Sequence, residues 1–378
     1  MNIYDRLGVR TLINAVDTYT AIGGSLIPAE VMDAMVEASK YFVSIEELQD
    51  KAGERIARLT RNESACVTSG AAAGLALATA ACVTGENPAL AARLPDTRGM
   101  KNEVIIHRCQ RNGYDHAVRQ IGVQIVEIGF VDGTHPWELE AAINERTACI
   151  VYFAASVYSR GALPLEQVIE IGNKHGVPVI VDAAAQLPPV ENLWKYTELG
   201  AAAAIFSGGK TLRGPQSTGL VVGKSSLIRA CRVNANPRHS IGRSMKLGKE
   251  EIVGLLAAVE RYVSLDHEQT SETLERCVRE MGERMALLGL RTKRLYPGPV
   301  GQTYPRLAVY PDNKNGWSAE RLQAELAAGT PGIMVGLTED KHAVIVNPLQ
   351  LTEEEVRIVM SRIRQVIETK PGSNGAPF

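Results

Sequence analysis

Along this chain, short apolar runs alternate with stretches whose apolar residues recur every three or four positions. That alternation predicts a β-α array. The runs 65–68, 103–106, 124–128, 148–153, 177–181, 201–206 and 218–222 read as strands. Between them the spacing predicts helices over 45–59, 71–82, 116–121, 137–144, 165–175 and up to 196, with Gly176 as one stop signal. A further helix over 28–39 opens on Pro28, which suits a first turn. Repeated β-α units imply a mostly parallel sheet covered on both faces. Ahead of them lies a short extended piece, 11–15, running into Gly23-Gly24-Ser25. After 222 the pattern changes. Residues 250–288 read as one long helix with Ile252, Leu255, Leu256, Val259 and Tyr262 on one face. Strands at 306–310 and 342–346 and helices at 318–326 and 352–367 then suggest a smaller α+β unit. The expected organisation is an N-terminal arm and first helix (1–44), a large domain (45–248), a hinge helix with a small C-terminal domain (249–370) and a frayed tail (371–378).

Length agrees with more than one core, since 378 residues exceed one ordinary domain. Hydrophobic content of 45% and charged content of 22% are those of a soluble globular protein. A net charge of −1 gives no overall field that would favour nucleic acid or an anionic membrane. The first residues lack the apolar core of a signal peptide, and the most apolar stretch, 71–83, is too short to cross a bilayer. The six cysteines are scattered, with neither metal-ligand nor disulfide-framework spacing, so no metal is expected. A reduced, cytoplasmic protein is the default.

Candidate chemistry gathers where the strands end, which is where α/β sheets bind ligands. The run 201–206 is followed by Ser207-Gly208-Gly209-Lys210-Thr211-Leu212-Arg213-Gly214-Pro215. Lys210 is either an exposed lysine in a glycine-rich turn or a lysine that carries an aldehyde cofactor. A P-loop is discounted, because the full Gly-x-x-x-x-Gly-Lys-Ser/Thr spacing is missing. Thr68-Ser69-Gly70-Ala71 joins a strand to a helix start, where free N–H groups and the helix dipole favour phosphate. Tight helix packing through small residues is the alternative. The strand 177–181 ends in Asp182, with the small Ala184 two residues on. The strand 103–106 runs into a loop bearing His107, Arg108, Arg111, Asp115 and His116. A basic run, with Arg238, Arg243 and Lys246, precedes the long helix and reads as a solvated face or a grip on a substrate phosphate. Read together, a carboxylate, a phosphate cradle and a lysine at successive strand ends are what pyridoxal 5'-phosphate requires. The carboxylate keeps the pyridine nitrogen protonated, the small residue lets the ring lie flat, and the lysine carries the aldehyde and moves protons.

The chain resembles the fold-type I pyridoxal-phosphate enzymes with an aminotransferase-like large domain, and within them the selenocysteine synthase-related group. The segments that carry the likeness are Ile13-Asn14-Ala15, Gly23-Gly24-Ser25, Val67-Thr68-Ser69-Gly70-Ala71-Ala72, Arg111-Asn112-Gly113-Tyr114-Asp115-His116, Val181-Asp182, Ser207-Gly208-Gly209-Lys210 with Gly214-Pro215-Gln216, and Gly242-Arg243-Ser244-Met245-Lys246. The resemblance implies that Lys210 is the Schiff-base lysine and that Asp182 pairs with the pyridinium. It implies that Ser69, Gly70, Ala71 and Ser207 hold the cofactor phosphate, with Ala184 and Arg111 as further cofactor-binding residues. Gly24, Arg243, Lys246 and Arg306 are the substrate-binding candidates, and His116 the candidate that assists the leaving hydroxyl. Val16-Asp17 depart from the small residues expected there, which bears on substrate choice. The implied activity is α,β-elimination from a small hydroxy-amino acid, for which D-glucosaminate 6-phosphate is a candidate, giving a 2-keto acid and ammonia. Racemisation, aldol cleavage and transamination share the same residues. A non-catalytic cofactor or amino-acid binder is the rival of another class. The implied partner is a small-molecule substrate, with no nucleic acid and no membrane, and the implied assembly is a homodimer or higher homo-oligomer.

Overall fold

The computed structural model describes residues 2–130, 132–311 and 316–369; the tail expected over 371–378 lies outside them. Internal contacts divide the chain into two compact units. The larger takes Ser25–Leu265 with Pro299–Gln302, and the smaller takes Met1–Gly24, Asp266–Gly298 and Thr303–Phe378.

In chain order, α1 (Ile3–Arg6) and β1 (Leu12–Ala15) belong to the smaller unit. The larger unit then runs α2 (Ala29–Ser39), α3 (Ile45–Leu59), β2 (Ser64–Thr68), α4 (Ala71–Thr84), α5 (Pro88–Ala91), β3 (Glu103–His107), α6 (His116–Arg119), β4 (Gln124–Ile128), α7 (Pro136–Ala142) and β5 (Thr147–Phe153). It continues with α8 (Leu165–Lys174), β6 (Val179–Asp182), α9 (Asn192–Glu198), β7 (Ala203–Ser207), β8 (Gly219–Gly223), α10 (Ser225–Asn234) and α11 (Lys249–Ser264). Its seven strands lie in the order β2-β8-β7-β6-β5-β3-β4. From β7 to β4 the pairing is parallel, and β8 runs antiparallel to both its neighbours. Alternate residues serve opposite faces. Ile150, Tyr152, Val179, Val181, Ala204 and Phe206 enter one apolar cluster, while Cys149, Val151, Ile180, Ala203 and Ile205 enter the other. A strand buried on both sides must be apolar throughout, which is why these runs showed no period-two pattern. Helix α4 is buried nearly all round, and its alanines let it lie close against the sheet.

The smaller unit adds α12 (His267–Ala286), β9 (Arg291–Leu295), β10 (Arg306–Tyr310), α13 (Ala319–Ala328), β11 (Gly332–Leu337), β12 (Val344–Val346) and α14 (Glu353–Glu368). Its sheet order is β1-β11-β12-β10-β9. Three features differ from the sequence reading. The long helix expected over 250–288 is two helices, because Asp266 caps a new start by accepting the Gln269 N–H at 2.9 Å. The N-terminal arm does not stand apart, since β1 pairs in parallel with β11 from Leu12↔Gly332 to Ala15↔Val335. The chain passes between units at Gly24, and α2 packs on α11 of the larger unit.

Candidate active site

The sheet register gathers four strand ends of the larger unit. Phe153 at the end of β5 lies beside Asp182, and Asp182 lies beside Ile205. Ser207, at the end of β7, and Thr68, at the end of β2, both pair with Gly219, the first residue of β8. Ser69-Gly70-Ala71 therefore leaves one strand of this edge, Asp182-Ala183-Ala184 a second and the Lys210 loop a third. Ser207 N–H donates to the Ala184 carbonyl at 3.3 Å, and Ala183 N–H to that of Ile205 at 2.9 Å, which ties the second and third together.

Asp182 is half-buried, and its carboxylate accepts the Ala184 N–H at 3.0 Å. Burial raises its pKa above the ordinary carboxylate value, opposed by that hydrogen bond and by the nearby positive charge of Lys210. Gly70 precedes α4 with φ 91°, a left-handed conformation that glycine takes without strain, and its carbonyl accepts the Gly74 N–H at 3.0 Å. A side chain on Gly219 would bring its Cβ within 2.3 Å of the Gly70 carbonyl carbon and 2.6 Å of the Ala71 nitrogen. Glycine at the start of β8 is thus what lets that strand lie against the opening turn of α4.

The remaining candidates are placed as follows. Ser69, Gly70, Ala71, Asp182, Ala184, Ser207 and Lys210 share the edge just described. Arg111 is engaged by the carboxylates of Asp115, at 2.5 Å, and Glu127. His116 is exposed at the start of α6, its Nδ1 3.4 Å from the Arg119 guanidinium. Arg238 pairs with Glu46, while Arg243 and Lys246 are exposed on the connection from α10 to α11. Gly24 and Arg306 belong to the smaller unit. There Asp17 is buried, accepting the Thr18 N–H at 2.7 Å and the Tyr304 hydroxyl at 3.1 Å. Burial lowers the pKa of Arg306, while Tyr304 and Asp17 favour its charge. Its Nη2 donates to the Pro297 carbonyl at 3.2 Å, and its buried Nε finds no partner among the described residues.

Two polar residues that follow Ile106 are fixed by contacts that the sequence does not show. His107 is fully buried at the end of β3. Its Nε2 accepts the Leu163 N–H at 3.3 Å, and burial lowers its pKa to about 4, so it is neutral at pH 7. Gln110 bonds both backbone groups of Phe153, fastening the β3 loop to the end of β5. The sequence marks His107 only as one of two histidines in that loop and shows neither residue's partner, because the partners lie about fifty residues away in the chain.

Asp115 is buried between Arg111 and Arg119. Burial pushes its carboxyl up, and the hydrogen bonds and charges of the two arginines more than offset this, leaving it below the ordinary value. A depressed folded pKa means stability that is present above the unfolded carboxylate range and lost as pH falls through the folded value. Asp115→Ala is expected to cost about 1–3 kcal/mol at neutral pH, with the gap to wild type closing in acid. Thermal melts from pH 7 down to about pH 3 check it, and equal melting temperatures at pH 7 would contradict it.

A parallel-centred sheet with a lysine loop and a carboxylate on one edge, plus a smaller α/β unit, defines the aminotransferase-like, fold-type I class. A family profile described as "SelA: L-seryl-tRNA selenium transferase" matches residues 12–297, and the chain belongs to that family. It is similar to the D-glucosaminate-6-phosphate ammonia lyase of Salmonella typhimurium (strain 14028s / SGSC 2262), with 32% identity over 97% of this chain and 98% of that one. It is also similar to the 5'-C-glycyluridine monooxygenase-decarboxylase of a Streptomyces species, with 35% identity over 87% of this chain and 83% of that one. The solved structure of D-glucosaminate-6-phosphate ammonia-lyase matches with a TM-score of 0.87 and 32% identity, over 97% of this chain and 98% of the other.

Proposed function

We propose that this protein is a pyridoxal-phosphate-dependent ammonia-lyase acting on D-glucosaminate 6-phosphate. The observation that carries the reading is Asp182 within reach of the Lys210 charge, on the sheet edge that also bears the Ser69-Gly70-Ala71 turn. Similarity over nearly the whole length of both chains to an enzyme of that name supports the substrate.

The residues fit the cofactor. A half-buried carboxylate with a raised pKa suits a cationic ring nitrogen, and a helix start with free N–H groups suits a phosphate. When bound, pyridoxal phosphate supplies an aldehyde for the substrate amine and a ring that withdraws electrons from the α-carbon. Asp182 holds the proton on the ring nitrogen, and Ala184 leaves its face clear. The Ser69 hydroxyl, the Ala71 N–H at the turn that Gly70 makes, and Ser207 would hold the phosphate, while the Gly70 N–H itself donates to the Thr68 carbonyl at 2.9 Å. Arg111 is a further cofactor-binding candidate through its remaining donors. Lys210 Nζ takes the α-proton. The β-hydroxyl leaves as water with a proton from His116. The resulting enamine takes up water to give a 2-keto acid and ammonia. Arg243 and Lys246 hold the distal phosphate. Arg306 is the substrate-carboxylate candidate, supported by its unpaired buried Nε, and Gly24 remains a substrate-binding candidate.

The reading includes a cytoplasmic homo-oligomer. Six free cysteines support a reducing compartment, and exposed apolar side chains at Leu26, Met32, Val36 and Phe42 support self-association. Among the described residues no helix is long and apolar enough to cross a membrane.

The test is incubation of the purified, cofactor-loaded protein with D-glucosaminate 6-phosphate, assaying ammonia, keto acid, carbon dioxide and oxygen uptake. Equimolar ammonia and 2-keto acid are expected. Ammonia-free product would point to racemisation, aldol cleavage or transamination, and carbon dioxide release with oxygen uptake would point to oxidative decarboxylation. Binding without turnover of any amino acid would point to a non-catalytic binder. Gly219→Ala tests the cradle: crowding α4's first turn is expected to weaken cofactor binding about tenfold or more. Equilibrium dialysis measures it, and unchanged affinity would remove Gly70 and Ala71 from the phosphate site.

A further inference from the structure

The loop that bears Lys210 is closed on itself and also fastened from outside. Arg213 N–H donates to the Lys210 carbonyl at 2.9 Å, and Gly214 N–H to the Gly208 carbonyl at 2.8 Å. Arg213 closes this turn at φ 58°, in the left-handed region that residues with side chains seldom occupy. Two further bonds join the turn to the segment just after Gly24. Ser25 Oγ donates to the Gly209 carbonyl at 3.0 Å, one residue before Lys210. Arg213 Nε donates to the Leu26 carbonyl at 2.8 Å, three residues after it. The arginine sits in an unfavourable place. Burial lowers its pKa, and so does Arg261 beside it, opposed in part by the charge of Glu30 of α2, which pairs with Arg261 at 2.6 Å. Glycine would satisfy the backbone without strain and without a partly buried charge. What glycine cannot do is reach Leu26.

We propose that Ser25 and Arg213 form a two-point clasp that sets the position of Lys210, with Arg213 acting as a positioning residue for the lysine. The inference rests on the reading of Lys210 as the lysine that carries the cofactor. The strain and desolvation at Arg213 are the counterpart of a fixed lysine loop, a pattern common where a reactive side chain must be held.

Hydrogen exchange of the cofactor-free protein tests the clasp directly. In Arg213→Gly and in Ser25→Ala, the Gly214 amide is expected to exchange about tenfold faster, while amides of β5 keep wild-type protection. Ser25→Thr, which keeps the hydroxyl, restores wild-type exchange, and Arg213→Lys, which keeps the charge but loses the Nε donor, does not. In loaded protein the cofactor dissociates about tenfold faster from Arg213→Gly and Ser25→Ala than from wild type. Wild-type exchange and dissociation in both variants would overturn the proposal. If Arg213→Gly fails to fold, Ser25→Ala and Arg213→Lys decide the same comparison. If wild type takes no cofactor on Lys210, the cofactor reading fails, while the exchange result still decides the clasp.

Discussion

Lys210→Ala is expected to abolish ammonia release from D-glucosaminate 6-phosphate, lowering turnover by about 10⁴-fold or more. The lysine acts twice in the proposed reaction, first as the covalent holder of the cofactor and then as the base at the α-carbon. No other described residue on that edge replaces both. Asp182 is acceptor-only when ionised and is assigned to the ring nitrogen in the proposed site, and Ser69 and Ser207 are hydroxyls whose proton affinity is too low. The variant should still fold. The loop is held by backbone bonds that alanine keeps, including Gly208 N–H to the Thr218 carbonyl at 2.8 Å and Gly214 N–H to that of Gly208. It should also retain cofactor through the phosphate, because the Ser69-Gly70-Ala71 turn is untouched. The measurement pairs single-turnover ammonia assay with borohydride labelling and mass spectrometry. Label at Lys210 of wild type, none in the variant, and lost turnover is the expected set. Turnover within about tenfold of wild type would remove Lys210 from the chemistry.

The large unit was legible because its signals are local. Strands buried on both faces are apolar runs, and the residues that follow them, Asp182 and the Lys210 loop, emerge at one edge because the strands are parallel. Thr68-Ser69-Gly70 was readable as a helix start for the same reason. What was not legible depends on distant partners or on local polarity that runs against the element. Arg291–Leu295 reads Arg-Thr-Lys-Arg-Leu, and it is a strand only because β10 pairs with it. β11 takes the N-terminal strand as its neighbour, a pairing between distant stretches of chain that no local signal carries. The break at Asp266 carried a signal, an aspartate three residues before Gln269 at a helix start, but the apolar spacing on either side masked it. In the site, Arg111 looked uncommitted until Asp115 and Glu127 were seen against it. Ser25 looked like part of a turn until its hydroxyl met Gly209. Gly219 was simply one residue inside the run 218–222, and only the register with Thr68 and Ser207 reveals what it keeps clear.

Asp182→Asn should separate stability from function. The amide oxygen can still accept the Ala184 N–H, so local geometry survives, but the negative charge is gone. Without it the ring nitrogen loses its proton, and turnover is expected to fall by about 10²–10³-fold. Stability moves the other way. Asp182 has a folded pKa raised by burial, so the folded state binds its proton more tightly than the unfolded chain does. The wild-type protein without cofactor therefore loses stability as pH rises from the ordinary carboxylate range through the raised folded value. Above that value the loss is complete. The asparagine variant has no such term. Its cofactor-free form should melt above wild type at pH 7, and the gap should close as pH falls toward about 4. Cofactor is expected to reverse the order, because in the proposed site a cationic ring nitrogen would pair with Asp182 and would have nothing to pair with in the variant. Melting temperatures of both proteins, with and without pyridoxal phosphate, at pH 7 and near pH 4, measure all four terms. A cofactor-free variant that melts below wild type at pH 7, or an equal rise in melting temperature for both on loading, would show that Asp182 is a structural carboxylate and not the partner of the ring.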